Sequence, residues 1–435
     1  MKWASIIPLI GGQTLGCMNT YGNFPEYILS FNGFQENDKH CVHYLRQKGW
    51  NGQYYILDSE DTKDCIIPNA KTGIEFYQNE SSSFGNIDVI NAVPPCAGLS
   101  SLSRISESDS NINDWMKKCS DIVLSKIKPK VFFGENAWYL ATEKGRGVAD
   151  DLYKIAKENN YSFLVFQTET RFLGNPQKRP RTFFFFFDKE YFQKTPVLDF
   201  IDKSYIPYRE FLTEQVSDSD KMNIFMNPIK VSDTPWYQCI NDSLKAESYI
   251  EFIDKLIPEG SENEVNLYKY CLNMYKDDLF KLSEWLREHG FEREASRVER
   301  AKAKFDSGKG AWTHDINVGK YQIPGFVVGT GANGNQASFL AHPTEDRFLT
   351  LREMMRLMGL PDDFNLCGEK PHKDTTHISQ NVCVHSAELM AEQTIKFINR
   401  TNDNFTDSDY IIQKHKQESF EDRSKTKVRT LEDFI

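Results

Sequence analysis

No apolar run in this 435-residue chain approaches the ~20 residues that a bilayer-spanning helix requires. A helical membrane anchor is thereby excluded, and Met1-Lys2-Trp3 leads into a short apolar strand instead of a secretory leader, so a cytosolic setting is expected. Paired cysteines are missing too. Nine are scattered without one CxxC, a pattern that suits neither a disulfide framework nor a zinc site; no metal is expected, and His40 and His43 around Cys41 read as a helix surface. Nor is there an excess of basic charge. With 52 Lys and Arg against 62 Asp and Glu, the net charge is −10, so any grip on phosphate must come from a local cleft and not from the protein as a whole. No internal repeat is found.

What is present is a globular composition, 40% hydrophobic and 26% charged, on a chain longer than one core usually organises. Short apolar strands alternate with amphipathic helices over the first ~190 residues, which predicts an α/β fold with a mostly parallel, doubly wound sheet. Strands are expected at Ser5 to Ile10, Tyr27 to Phe31, Asp88 to Ala92, Lys130 to Phe133, Ser162 to Phe166 and Thr182 to Phe187. The five phenylalanines at 183 to 187 leave no polar face, so that strand should be central and covered on both sides. The expected organisation is a first domain over 1–187, a mixed second domain over 188–341, a return to the first domain over 342–400, and a polar tail over 401–435. Helices are expected from about Asp242 to Lys304, over Leu351 to Met358, and over Val384 to Ile398.

Three strand ends carry chemically suggestive residues. Asp88-Val-Ile-Asn-Ala-Val-Pro-Pro-Cys96 runs a buried strand out into a loop bearing a thiol, where functional loops of open α/β sheets sit. Glu135-Asn136 puts a carboxylate at the end of another apolar strand, and Gln177-Lys-Arg179-Pro-Arg181 puts two guanidinium groups at the start of the phenylalanine strand. Each alone has a plainer reading: a buried cysteine, a helix-initiating acid, a solvated edge. Together they form an ordered set.

These segments, in this order, resemble the motif series of the cytosine-5 DNA methyltransferases: a Pro-Cys nucleophile loop, a Glu-Asn-Val element (here Glu135-Asn136-Ala137) and a Gln-x-Arg-x-Arg element. Arg347-Phe-Leu349-Thr350-Leu-Arg352-Glu353-Met-Met-Arg356-Leu-Met-Gly359-Leu-Pro361 and His377-Ile-Ser-Gln-Asn381 resemble two late motifs of the same family. The resemblance implies a Rossmann-like, S-adenosylmethionine-dependent methyltransferase fold in which the middle segment is a target-recognition domain. It implies Cys96, Glu135, Arg179 and Arg181 as catalytic residues, and Pro95, Ser100, Asn136 and Gln177 on the substrate side, with Ser100 holding the phosphate beside the flipped nucleotide. Around the cofactor it implies Ile7, Leu9, Gly11 and Gly12 in the first turn, Glu36 on the ribose hydroxyls and Asn37 beside the adenine. Asp58 or Asp61 would contact the adenine, and Asn381 would lie against the cofactor. The turn departs from the family pattern, because Ser5, Ile7 and Leu9 replace an acid, an aromatic residue and a glycine. Ala97 likewise replaces a glutamine.

The implied reaction is transfer of a methyl group to carbon 5 of cytosine in double-stranded DNA by a monomer, in the cytosol of a bacterium or phage-infected host. Thiolate addition to carbon 6 of an extruded base activates the ring. A transfer-RNA methyltransferase shares the catalytic motifs, and a DNA-binding relative with an altered or lost cofactor shares the scaffold; the length of the middle segment favours DNA. Within that segment Arg293, Arg297, Arg300, Lys302 and Lys304 interleave with acids and read as a solvated helix face, while Gly331 to Gly334 reads as a flexible turn near the groove. The terminal Leu431 to Ile435 resembles the peptides with which replication proteins dock onto sliding clamps.

Overall fold

Trp3, Ala4, Ser5 and Ile6 are buried throughout because they form the inner strand of a ten-stranded sheet, β1 (Trp3–Ile6). The computed structural model describes residues 1–81, 84–95, 99, 114–199, 203–225, 227–261, 264–311, 315–325, 339–368, 375–415 and 421–423. Cys96, Ser100, the Gly331 to Gly334 turn and the Leu431 to Ile435 segment lie outside the described residues.

The other strands of this sheet are β2 (Tyr27–Ser30), β3 (Gln53–Ile56), β4 (Lys71–Thr72), β5 (Val89–Ala92), β6 (Val131–Ala137), β7 (Tyr161–Glu169), β8 (Pro180–Asp188), β9 (Tyr410–Lys414) and β10 (Glu421–Asp422). They are ordered β10-β9-β7-β8-β6-β5-β1-β2-β3-β4. Pairing is parallel from β6 through β5 and β1 to β4, and β8 runs antiparallel between β6 and β7. The chain order reverses between β1 and β5, which opens a crevice beyond their carboxyl ends.

β8 is central and dry, as its phenylalanines require. Phe185 and Phe187 meet Phe397 on one face at 6.2 and 5.2 Å, and Phe186 stacks on Phe132 at 5.4 Å on the other. Helices α1 (Gly12–Tyr21), α2 (Gln35–Gln47), α3 (Gly73–Glu80), α4 (Asp114–Ile122) and α5 (Arg146–Glu158) connect the strands. After β8 come the short α6 (Tyr208–Phe211) and a helical cluster, α7 (Pro235–Leu244), α8 (Tyr249–Leu256), α9 (Leu267–Met274), α10 (Leu279–Glu288) and α11 (Glu292–Asp306). This cluster has its own core around Trp236, Phe252, Tyr268 and Leu286. The chain returns through α12 (Leu351–Leu357), α13 (Thr375–Gln380) and α14 (Val384–Asn399). Thr350 caps α12 reciprocally with Glu353, a capping box, and Gly16 of α1 packs so closely on α14 that an added Cβ would lie 2.5 Å from that of Ala387.

Three sequence expectations need correction. His40 and Cys41 are buried and do not lie on a helix surface, because they fall on the face of α2 that packs inward with Asp38, Val42 and Leu45. β1 ends at Ile6 rather than Ile10, because Ile7 and Leu9 both adopt φ of 51°, a left-handed conformation no strand sustains. The stretch after 401 is not simply a polar tail. Tyr410 to Lys414 pairs in parallel with Phe163 to Gln167, with Tyr410, Ile411 and Ile412 buried. Among the described residues no helix is long and apolar enough to cross a membrane, and no group of three His, Cys, Asp or Glu side chains is placed to hold a metal.

Candidate active site

β6 continues through Glu135 and Asn136 to Ala137, in register with Phe183, Thr182 and Arg181 of β8. Glu135 therefore sits within a strand and does not initiate a helix. It shares a sheet face with Arg181, two positions along on the neighbouring strand, and the Arg181 Nε reaches Glu135 Oε1 at 2.5 Å. Only 3% of Glu135 is exposed. Burial pushes its carboxyl above the usual range, opposed by the positive charges of Arg181 and then Arg179, so a proton is retained more readily than by a surface glutamate.

Arg179 is buried and donates through Nη2 to the carbonyls of Ser379 and Asn381, at 2.7 and 2.9 Å. Its guanidinium thus binds the 379–381 turn, whose Asn381 Oδ1 accepts the Gly12 N–H at 2.8 Å. These contacts join the segment that bears Arg181, the partner of Glu135, to the glycine turn after β1. Asn136, expected on the substrate side, is fully buried and donates to the Pro94 carbonyl at 3.4 Å and towards Met116 Sδ at 3.0 Å. It ties down the strand extension that carries Pro95 and leads to Cys96. The Gln177 amide likewise points inward, 3.5 Å from the Leu357 carbonyl and 3.4 Å from Met358 Sδ.

The cofactor candidates gather along one edge. Ile7, Leu9, Gly11 and Gly12 follow β1, Glu36 and Asn37 open α2 after β2, and Asp58 follows β3. Asp58 accepts the Asn32 N–H at 2.8 Å and pairs with Lys118 at 3.1 Å, whereas Asp61 accepts locally from Lys63 N–H at 3.2 Å. Glu36 is 65% exposed and pairs with Lys39 at 2.6 Å. Asn37 approaches Gln380 at 3.4 Å, from the turn that bears Asn381. Gly11 has φ of 111°, and a Cβ on Gly12 would stand 1.9 Å from the Val382 carbonyl, so both positions require glycine.

Two residues that sequence reasoning gave no role complete this edge. Asp38 is fully buried and accepts from Leu9 N–H, Ser30 Oγ and Tyr54 Oη at 3.0, 2.5 and 2.9 Å. Its bond to Leu9 holds a leucine in a conformation that costs roughly 1–2 kcal/mol outside glycine. The signal was an acid at an apolar-face position of α2, where Asp38, Cys41, Val42 and Leu45 are all buried. Gln13 is the second: buried, with neither amide atom partnered among the described residues. Asn381 Nδ2 is also buried with no hydrogen-bond partner among the described residues. Ser5, in place of an acid, is engaged internally with Thr14 and Asn91, each at 2.9 Å.

A glycine turn closed by an asparagine, unsatisfied amide groups beside it and an exposed carboxylate at the next strand end suit a ligand with amino-acid and ribose moieties, as S-adenosylmethionine has. Fold and site together define a Rossmann-like, S-adenosylmethionine-dependent methyltransferase. Residues 1–396 match the family model of the C-5 cytosine-specific DNA methylases, and the chain belongs to that family, whose members take their methyl group from S-adenosylmethionine. Among solved structures, a candidate DNA modification methyltransferase encoded within an E. coli prophage is similar with a TM-score of 0.52 and 17% identity, over 92% of this chain and 99% of that one. The methyltransferase EhMeth of Entamoeba histolytica is more distant, at 0.49 and 12%, over 92% and 98%, as is a DNMT2 variant of Spodoptera frugiperda at 0.46 and 12%, over 91% and 100%. No curated protein sequence matches the chain.

Proposed function

We propose that the protein methylates carbon 5 of cytosine in double-stranded DNA, with Cys96 as nucleophile, acting as a cytosolic monomer. The observation that carries this reading is the buried Glu135–Arg181 pair on β6 and β8, one strand away from β5, whose extension leads to Cys96. Family membership supports the target base and the atom modified; the length of the middle segment supports DNA over transfer RNA.

Carbon 5 of cytosine is too weak a nucleophile until the 5,6 double bond is broken. The thiolate of Cys96 forms a bond to carbon 6, and the electron pair moves into the ring, where a proton from Glu135 on nitrogen 3 neutralises it. S-adenosylmethionine supplies the methyl cation that carbon 5 then takes. Loss of the carbon 5 proton to a base, with expulsion of the Cys96 thiolate and return of the nitrogen 3 proton to Glu135, restores the aromatic ring and the enzyme. Arg181 holds Glu135 at the edge of the base. Arg179 keeps the 379–381 turn in place and adds positive charge beside Glu135. Gly11, Gly12, Glu36, Asp58 and Asn381 would hold the donor, with Asn37, Ile7 and Leu9 shaping its surroundings.

The target atom is enclosed in a stacked duplex, so the base must be everted at a cost of a few kcal/mol. Incubation with labelled S-adenosylmethionine and either duplex DNA or transfer RNA, followed by nucleoside mass spectrometry, tests the proposal. 5-Methyl-2′-deoxycytidine is expected from the DNA. Label appearing only in transfer RNA would overturn the substrate, and label at another atom would overturn the chemistry.

A further inference from the structure

We propose that α11 and the cleft beside it form a second nucleic-acid site, which grips the phosphodiester backbone without reading bases. The inference rests on the DNA-modifying function above and adds a surface that the base chemistry does not itself require.

Arg293, Arg297, Arg300 and Lys304 recur at intervals of four, three and four residues, and at 100° per residue they fall within a stripe roughly 60° wide on α11. The stripe is ~16 Å long, the axial length of about five base-pair steps at ~3.4 Å each. All four residues line a cleft of about 610 Å³. Arg297 serves as its brace: it pairs with Asp315 and lies 4.2 Å over the ring of Tyr268. The other three are exposed and have no carboxylate partner among the described residues. They face one acid of the lining that is also unpaired there, Glu294.

The remaining charges of this helix pair. Glu299 takes Arg287 at 2.7 Å and Lys302 takes Asp306 at 2.6 Å. Lys302 is thus paired on its own helix, whereas three of the stripe's four cations are exposed with no carboxylate partner among the described residues, in a protein of net charge −10. Tyr268, beneath Arg297, is buried in the cleft wall and fixes the guanidinium above it. Phosphate oxygens accept from arginine and lysine alike, and such contacts position a duplex without specifying its sequence.

The test is equilibrium binding of the full chain to fluorescein-labelled duplexes of unrelated sequence across a range of KCl concentrations. Arg293, Arg300 and Lys304 are replaced together by alanine, and in a second variant by glutamine, which keeps an extended side chain; Lys302→Ala is the control on the opposite face. In both triple variants the plot of log affinity against log salt is expected to become shallower by about 2 to 3. Affinity at 0.1 M salt should fall ~10-fold or more on every duplex, with kcat at saturating DNA unchanged and Lys302→Ala indistinguishable from wild type. Wild-type affinity and slope in correctly folded triple variants would overturn the proposal, as would a loss confined to one duplex sequence. Neither depends on turnover, so a wild-type enzyme that fails to methylate DNA would sink the substrate assignment separately.

Discussion

At the scale of single residues, the glycine turn after β1 is the most tightly constrained part of the molecule. A methyl group on Gly12 would be driven into the Val382 carbonyl and the Asn381 amide, and neither can retreat while Arg179 holds the turn. Gly12→Ala is expected to cost ~1–3 kcal/mol of stability and to abolish the rise in melting temperature on adding S-adenosylmethionine; an undiminished rise would contradict the assigned pocket. Asp38 and His40 allow a test by pH. Burial first, and then the neighbouring His377, Lys39 and His43, depress His40 from 6.5 to about 3, so between those values the unfolded chain binds the extra proton and stability rises with pH. Burial lifts Asp38 from 3.8 to about 7 against its three donors, so between those values the folded chain binds the extra proton and stability falls with pH. The two slopes oppose each other from about pH 4 to 6.5. Asp38→Asn removes one of them, and its stability relative to wild type should decline as pH falls through that window; parallel curves would refute the assignment. The motif residues were legible because a thiol, a carboxylate and two guanidinium groups follow one another in order at three strand ends. Asp38 was passed over next to Glu36 and Asn37, which the resemblance singled out, and the inward contacts of Asn136 and Gln177 depend on what packs against them, which no local pattern carries.

At the scale of elements, strong patterns translated directly and weak ones did not. Five consecutive phenylalanines leave β8 no alternative to a doubly covered position, and α12 lies within the span of Leu351 to Met358 where a helix was expected. β9 escaped notice because Tyr-Ile-Ile is a three-residue apolar island after nine mostly polar residues. A strand of five residues suffices once a sheet edge is waiting for it. The island matters to stability. Tyr410 stacks on Tyr153 at 4.8 Å and Ile411 and Ile412 are buried, so removing them gives up on the order of 5 kcal/mol of apolar burial as an upper estimate. A chain ending at 400 should unfold at clearly lower denaturant than one ending at 423, which keeps the strand. Equal midpoints would show that the added strand contributes nothing.

At the scale of the whole molecule, the chain gathers the proposed site residues at the carboxyl ends of β1, β2, β3, β5 and β6, and inserts a separately cored helical cluster before returning through α12 to α14 to close the glycine turn. Residues nearly 370 positions apart, Gly12 and Asn381, thereby become hydrogen-bond partners. The resemblance put each of them beside the cofactor without pairing them, whereas the helices expected from about Asp242 to Lys304 carried no motif to say how they pack together. The central claim is that a thiol adds to an everted cytosine beside a buried, proton-retaining glutamate. Replacing the carbon 5 hydrogen by fluorine blocks the final elimination, so the adduct should persist. Wild-type protein incubated with S-adenosylmethionine and a duplex containing 5-fluorocytosine should migrate as a denaturation-resistant protein–DNA adduct, with mass spectrometry placing the DNA on Cys96. Cys96→Ser should bind the duplex without forming the adduct. An adduct that survives in the serine variant, or that maps to another residue, would contradict the account.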